Sequence, residues 1–201
     1  SLLSDGIGFR NSWEGTSGLV ALMPDIPACQ SLLQALLNSY EDDFSKYRQR
    51  VNTIKLSETL RSIALQAGKK FIYSHVSPGN SSAGYSDALE LLVKAGLAYR
   101  TYHTSANGIP IGAEIDLKEF KVFPFDLGLY QALLGFKSNQ FLLLDALELI
   151  NSGPVCELLV ALELVVNQDN HMRAGLYYWV REAKNSNAEV DFIVQVGQQL
   201  S

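Results

Sequence analysis

Cysteine is nearly missing from this 201-residue chain: Cys29 and Cys156 are the two it has. Two thiols so far apart make neither the multi-bridge framework of a small secreted domain nor the ligand set of a zinc finger. Each is expected to pack as a small apolar group, the usual fate of a free thiol. Charge is also sparse. Charged residues make up 18% of the chain, and 16 Lys and Arg against 21 Asp and Glu leave a net charge of −5. That balance excludes a broadly basic face for nucleic acid and leaves room for a local patch. No apolar run reaches the ~18 residues of a membrane span, and no charged-then-apolar leader is visible. The expected setting is therefore cytoplasmic, with no membrane partner.

Several chemical signatures are absent as well. The phosphate loop GxxxxGK[ST] does not occur; Gly68-Lys69-Lys70 lacks both its upstream glycine and its hydroxyl residue. A GxSxG nucleophile elbow is missing too. His75, His103 and His171 stand far apart, without HExxH or CxxC spacing. Each reads as a surface or turn residue, not a metal ligand.

What the chain does have is apolar material. Hydrophobic residues reach 47%, enough for a core, and at roughly 150 residues per domain the length suits one or two domains. Residues 1–30 are expected to be a connector or the stump of an upstream domain, being rich in Gly and Ser and broken by Pro24 and Pro27. From Ser31, Leu33, Leu36, Leu37, Tyr40, Phe44 and Tyr47 recur at helical spacing. A second helical stripe runs through Leu56, Leu60, Ile63, Ala64 and Ala67, with Gly68 placed as a left-handed cap. Residues 71–76 suggest an extended segment and 77–84 a loop. The third helix runs from about Gly84 to Ala95 on Tyr85, Ala88, Leu89 and Leu92, and Gly96 ends it.

The period then changes to two. Residues 97–103 read as a strand, Asn107-Gly108 as a hairpin turn and 109–115 as the returning strand. Residues 120–125 read as a further strand, and Asp126 as the cap of a helix from Leu127 to Leu134, closed by Gly135. Three helices and a hairpin are the order of a winged helix-turn-helix over residues 31–135. Tyr40, Phe44, Leu60, Ile63, Leu89 and Leu92 are its expected core. The exposed positions of the third helix would be Ser86, Asp87, Glu90 and Lys94. Two acids and one base are poor equipment for phosphates, so this module is expected to pack against protein, with DNA contact left open.

Residues 139–201 have a different character. A helix is expected over 139–150, and another opens at Ser152-Gly153-Pro154 and carries Glu157, Leu158, Ala161 and Leu162. Residues 167–175 read as a loop and 176–180 as a strand, whose Tyr177, Tyr178 and Trp179 are explained by packing on a helix more simply than by base stacking. Asn185-Ser186-Asn187 reads as a turn and 190–196 as the partner strand, left without a third strand in the same chain. Here lies the one constellation with chemical weight. Glu157 sits on a helix and Asp191, beside Glu189, on a strand. Two such acids can converge on one Mg²⁺, which prefers carboxylate oxygens and water, and a metal so held can activate water against a phosphodiester. The two carboxylates are expected on one side of the helix–hairpin unit, with at least one pKa raised unless a cation intervenes.

A family resemblance enters at these residues. Tyr40-Glu41-Asp42-Asp43-Phe44-Ser45-Lys46-Tyr47 resembles a Y-x-x-D-F-x-K-Y segment. Phe120-Lys121 with Asp126-Leu127-Gly128-Leu129 resembles F-K…D-x-G-L. Gly153, Glu157 and Glu163-Leu164 are similar to a G-x-x-x-E…E-L helix, and Leu176-Tyr177-Tyr178-Trp179 with Ala188-Glu189-Val190-Asp191-Phe192 to an L-Y-Y-W…A-E-V-D-[FY] ending. The family these segments resemble is that of the prokaryotic AAA-superfamily ATP-binding proteins of bacteria and archaea that carry a C-terminal domain of unknown function. The resemblance implies a mixed α/β, mostly helical fold: a winged-helix-like module, then a truncated PD-(D/E)xK-like helix and β-hairpin over 139–201. It also implies ATP and Mg²⁺ for the parent protein, held by an upstream ATPase module that would be this chain's partner. Glu157 and Asp191 match the acids of the nuclease-like module, as catalytic and metal-binding candidates. The departures are the family's G-G-M-P segment, faintly echoed by Val20 to Pro24, and its E-x-K strand, expected past Ser201. The implied function is a non-catalytic interaction or regulatory region without a cofactor of its own, inactive alone. The alternative is the core of a metal-dependent nuclease lacking the E-x-K strand and the lysine it would supply.

Overall fold

The computed structural model describes residues 26–47, 51–135, 153–167, 175–183, 186–196 and 199–200. Among them the chain forms five α-helices and a four-stranded mixed sheet: α1 (Ile26–Phe44), α2 (Thr53–Leu65), α3 (Tyr85–Lys94), β1 (Ala98–Thr104), β2 (Ile115–Pro124), α4 (Leu127–Leu134), α5 (Gly153–Val166), β3 (Tyr177–Ala183) and β4 (Ser186–Ile193). Two short strands follow, β5 (Gln195–Val196) and β6 (Gln199–Leu200), paired only with each other. The helix expected over 139–150, most of the loop at 167–175 and residues 1–25 of the expected connector lie outside the described residues.

Helix ends follow local chemistry. Asn52 Oδ1 accepts the Ile54 N–H at 2.9 Å to start α2, and Asp126 Oδ1 accepts the Leu129 N–H at 2.8 Å to start α4. The helix break expected at Pro27 does not occur, since residues 26–30 belong to α1. Pro27 is its second residue, where a missing N–H costs nothing because the helix has no carbonyl four residues earlier to receive it.

The sheet order is β2-β1-β3-β4, with β1 antiparallel to β2, parallel to β3, and β3 antiparallel to β4. Four expectations are corrected here. The returning strand is not 109–115: Pro110 lacks an N–H to donate to a ladder, residues Ile111–Glu114 form a 3-10 turn, and β2 is one strand that takes in the segment expected separately at 120–125. Residues 71–76 are extended only at their start: Phe71 N–H bonds to the Phe120 carbonyl at 2.9 Å and Ile72 has an extended backbone, but a 3-10 turn follows at Tyr73–His75. The β3–β4 hairpin is not left without a third strand, because Tyr102 and His103 of β1 pair with Tyr177 and Tyr178 of β3. The expected turn does not include Ser186 and Asn187, which already belong to β4.

Strand β2 separates two cores by the period-two rule. Phe120 and Val122 face a cluster with Leu37, Tyr40, Phe44, Leu60 and Leu89 from α1, α2 and α3. Phe123 faces the other way, onto Val155, Leu158 and Ala161 of α5 and Leu176. All six residues expected to form the first core are buried. Lys121 shares the face of Phe123. Its side chain is therefore delivered to the α5 side of the sheet.

Candidate functional site

Lys121 is the second residue of the buried run 120–124 of β2 and is 3% exposed. A lysine so deep is rarely unpaired, because a desolvated ammonium is costly. Its Nζ donates to Glu157 Oε1 at 2.7 Å and to Glu189 Oε1 at 2.8 Å, and more weakly to Asp191 Oδ1 at 3.4 Å. It also lies 5.2 Å from the centre of the Tyr178 ring. Four elements thus meet at one ammonium: β2, α5, β3 and β4.

Glu157 comes from the first turns of α5, which packs its Val155–Leu158 side onto Phe123. The helix is seated close to the end of α2. A Cβ on Gly68 would lie 2.7 Å from Glu157 Oε2 and 3.6 Å from the Pro154 Cα. Gly68, expected as the left-handed cap of α2, lies two residues past its actual C-cap, Gln66; at φ +76° it shapes the turn that follows and leaves room for the carboxylate. The turn after it is held by Gln66, whose buried amide bonds to Ser62 Oγ at 2.9 Å and to the Ile72 carbonyl at 3.2 Å, and accepts the Ile72 N–H at 2.9 Å. Beside Lys121 opens a cleft of about 530 Å³ lined by Gly68, Lys69, Lys70, Glu119, Tyr178 and Glu189. Lys70 pairs with Glu119 across the short bridge that joins Lys70 to Lys121.

The electrostatics follow from burial and from three acids facing one base. Burial raises the Glu157 pKa; Lys121 opposes that, while Asp191 and Glu189 add to it, and the net shift is upward. Burial also works against the Lys121 charge, yet its bonds to Glu157 and Glu189 outweigh it and hold the pKa above the ordinary lysine value. Burial, reinforced by Glu119, pushes Tyr178 up to about 12. Glu189, which lines the cleft, and Asp191 are half-exposed, whereas Glu157 is mostly covered.

Glu157 and Asp191, the two acids singled out in the sequence, therefore do meet on one side of the α5–β3–β4 unit. The expectation that no lysine would offset them is overturned: Lys121, from a different strand, fills that place. Sequence reasoning quoted Lys121 only as part of a motif and gave Glu189 no role. The usable signal was a lone cation inside the apolar run 120–125. The histidines are not drawn in. His75 is exposed on a 3-10 turn, His103 packs edge-on against Tyr178 at 5.5 Å, and His171 lies outside the described residues. Among the described residues no group of three or more His, Cys, Asp or Glu is arranged to hold a metal ion. Nor is any described helix long and apolar enough to cross a membrane.

No curated protein and no solved structure matches this chain. A family does match, over residues 21–140. That span holds α1 to α4, β1, β2 and Lys121, and ends before the three acids that Lys121 binds. Since it covers more than half of the sequence, the chain belongs to the family defined by the domain of unknown function DUF8612.

Proposed function

We propose that this chain is a non-catalytic interaction or regulatory region of a prokaryotic AAA-type ATP-binding protein, in which the acids of a nuclease-like unit serve as a structural ion-pair cluster. One observation carries the reading: the Lys121 ammonium occupies the point on which Glu157, Glu189 and Asp191 converge. A hydrolytic metal needs carboxylate oxygens free to face a hydrated cation. Here the two closest oxygens are already engaged by a cation belonging to the fold. The cluster instead ties the DUF8612 region, through β2, to α5 and β4.

Two further features support contact with protein over contact with DNA. The winged-helix-like order of α1, α2, α3 and the β1–β2 hairpin would present α3 as the recognition helix. That helix exposes Ser86, Asp87 and Lys94, and its Glu90 is paired with Arg100. Helix α5 also exposes Leu159, Val160 and Val166, an apolar set suited to a protein neighbour such as an upstream ATPase module. ATP and Mg²⁺ belong, in this reading, to that module.

The nuclease reading stands second, favoured by the cleft beside the acids and by Lys69 and Lys70 on its wall. Two assays separate them. Supercoiled plasmid incubated with the chain and Mg²⁺ or Mn²⁺ is expected to stay intact, and ATP hydrolysis by the parent protein is expected to change when this region is removed. Metal-dependent nicking that disappears in Asp191→Ala would establish the nuclease, and an unchanged ATPase rate would remove the regulatory role.

A further inference from the structure

A second cavity of about 530 Å³ lies on the other side of β1, between α3 and the α5–β3 unit. Its size falls within the ~300–1,000 Å³ of small-molecule sites. Tyr99, Tyr102 and Tyr177 give it flat aromatic walls, and Val93 and Ile115 add aliphatic ones. The charged lining consists of Arg100, Lys94 and Glu90, a net of one positive charge. The cavity shares none of its lining with the Lys121 cleft.

Arg100 is the unusual member. Its side chain is 12% exposed, and its guanidinium is stacked 4.7 Å from the Phe120 ring centre. The Nη1 donates to Glu90 Oε1 at 2.6 Å and to Tyr102 Oη at 2.9 Å. Nε and Nη2 are buried and make no hydrogen bond. A guanidinium presents a planar fork that matches a carboxylate through two parallel N–H bonds. Glu90 uses one prong of it. A buried charged donor without a partner is costly and calls for an explanation in structure or in function. Glu90 is in addition the loosest part of the arrangement: its side chain is 44% exposed, and exposed Lys94 is its neighbour one helical turn on.

We propose that this cavity binds a small aromatic carboxylate. The ligand's carboxylate displaces Glu90 from Arg100 and takes the fork through Nη1 and Nη2. The released Glu90 turns to Lys94, four residues along α3. The flat body of the ligand lies against the tyrosine walls, and its single negative charge matches the net charge of the lining.

The test uses 2-naphthoate and its uncharged analogue 2-naphthamide, titrated calorimetrically into the full chain. The acid is expected to bind saturably at one site, and the amide at least about tenfold more weakly, a gap of about 1.4 kcal/mol. Arg100→Met is expected to abolish the preference for the acid. Because that variant removes a largely buried side chain, Glu90→Gln is the companion: it removes the internal competitor at a partly exposed position and is expected to tighten 2-naphthoate binding by about threefold or more. Equal affinity for acid and amide would overturn the proposal. So would the absence of saturable binding up to about 5 mM, or weaker binding by Glu90→Gln.

Discussion

Replacing Lys121 with methionine keeps the aliphatic stem that packs beside Tyr178 and removes the charge. Three carboxylates then lose their common cation, but they do not lose it equally. Glu157 is 12% exposed, so removing its partner strands a largely buried charge, and breaking such a pair costs about 3–5 kcal/mol. Glu189 and Asp191 are 50% and 59% exposed, and water takes over their solvation, so each adds about 0–1 kcal/mol at most. The cleft brings some water to Glu157 also, which favours the low end, about 3 kcal/mol in all. With a urea dependence of about 2 kcal/mol per M, the unfolding midpoint should fall by about 1.5 M at pH 7. The pH dependence has a definite sign. Burial, Asp191 and Glu189 already raise the Glu157 pKa, and Lys121 alone opposes them. Without the lysine the shift grows, so the variant takes up a proton more readily in the folded state, and its deficit should shrink as the pH falls from 7 toward 5. Lys121 itself, with a raised pKa, contributes stability that is complete below 10.5 and lost as the pH rises through its folded value. Denaturation monitored by circular dichroism across pH 5–8 checks the loss at pH 7 and its narrowing on acidification. A midpoint within about 0.3 M of the parent's, or a deficit that widens on acidification, would refute the reasoning.

Substitutions at three other positions probe the frame around the cluster. Gly68→Ala places a Cβ 2.7 Å from Glu157 Oε2 at a φ of +76°, and should cost at least about 1–2 kcal/mol, read as a drop in Tm of about 4 °C or more. Gln66→Leu removes the amide that holds residues 66–72 and should cost about 2 kcal/mol, with faster hydrogen exchange at the Ile72 amide, which loses its acceptor. Asp126→Ala deletes the cap of α4 for about 1 kcal/mol, while Asp126→Asn, which keeps an acceptor for the Leu129 N–H, should retain most of the stability in thermal unfolding.

Much of the helical frame is written in local chemistry. The stripes through Leu56, Leu60 and Ile63 and through Ala88, Leu89 and Leu92 are buried, and Asp126 and Gly135 bound α4 as their residue types suggest. The strands were harder to read, because partners distant in sequence decide them. On β1, Ala98, Thr101 and Thr104 are buried, a period near three that no alternation rule anticipates, since helices and strands cover both faces. The parallel pairing of β1 with β3 joins residues more than seventy apart and leaves no local trace. The same physics limited the reading of the site. Glu157 and Asp191 were visible as acids on a helix and a strand, but the base that gathers them sits on an element expected to belong to a separate module. Its position became meaningful only once β2 was seen to turn the Lys121–Phe123 face toward α5.

Direct observation of the Lys121 ammonium tests the ion-pair cluster most sharply. Nitrogen-15 NMR of the lysine side chains resolves ammonium groups whose protons exchange slowly because they are buried and hydrogen-bonded. One such signal is expected, absent in Lys121→Met, weakened in Glu157→Gln and unchanged when Mg²⁺ is added in excess. A Lys121 signal that vanishes or moves on titration with Mg²⁺ would show that the metal takes the carboxylates from the lysine, and would contradict the assignment of these acids to structure.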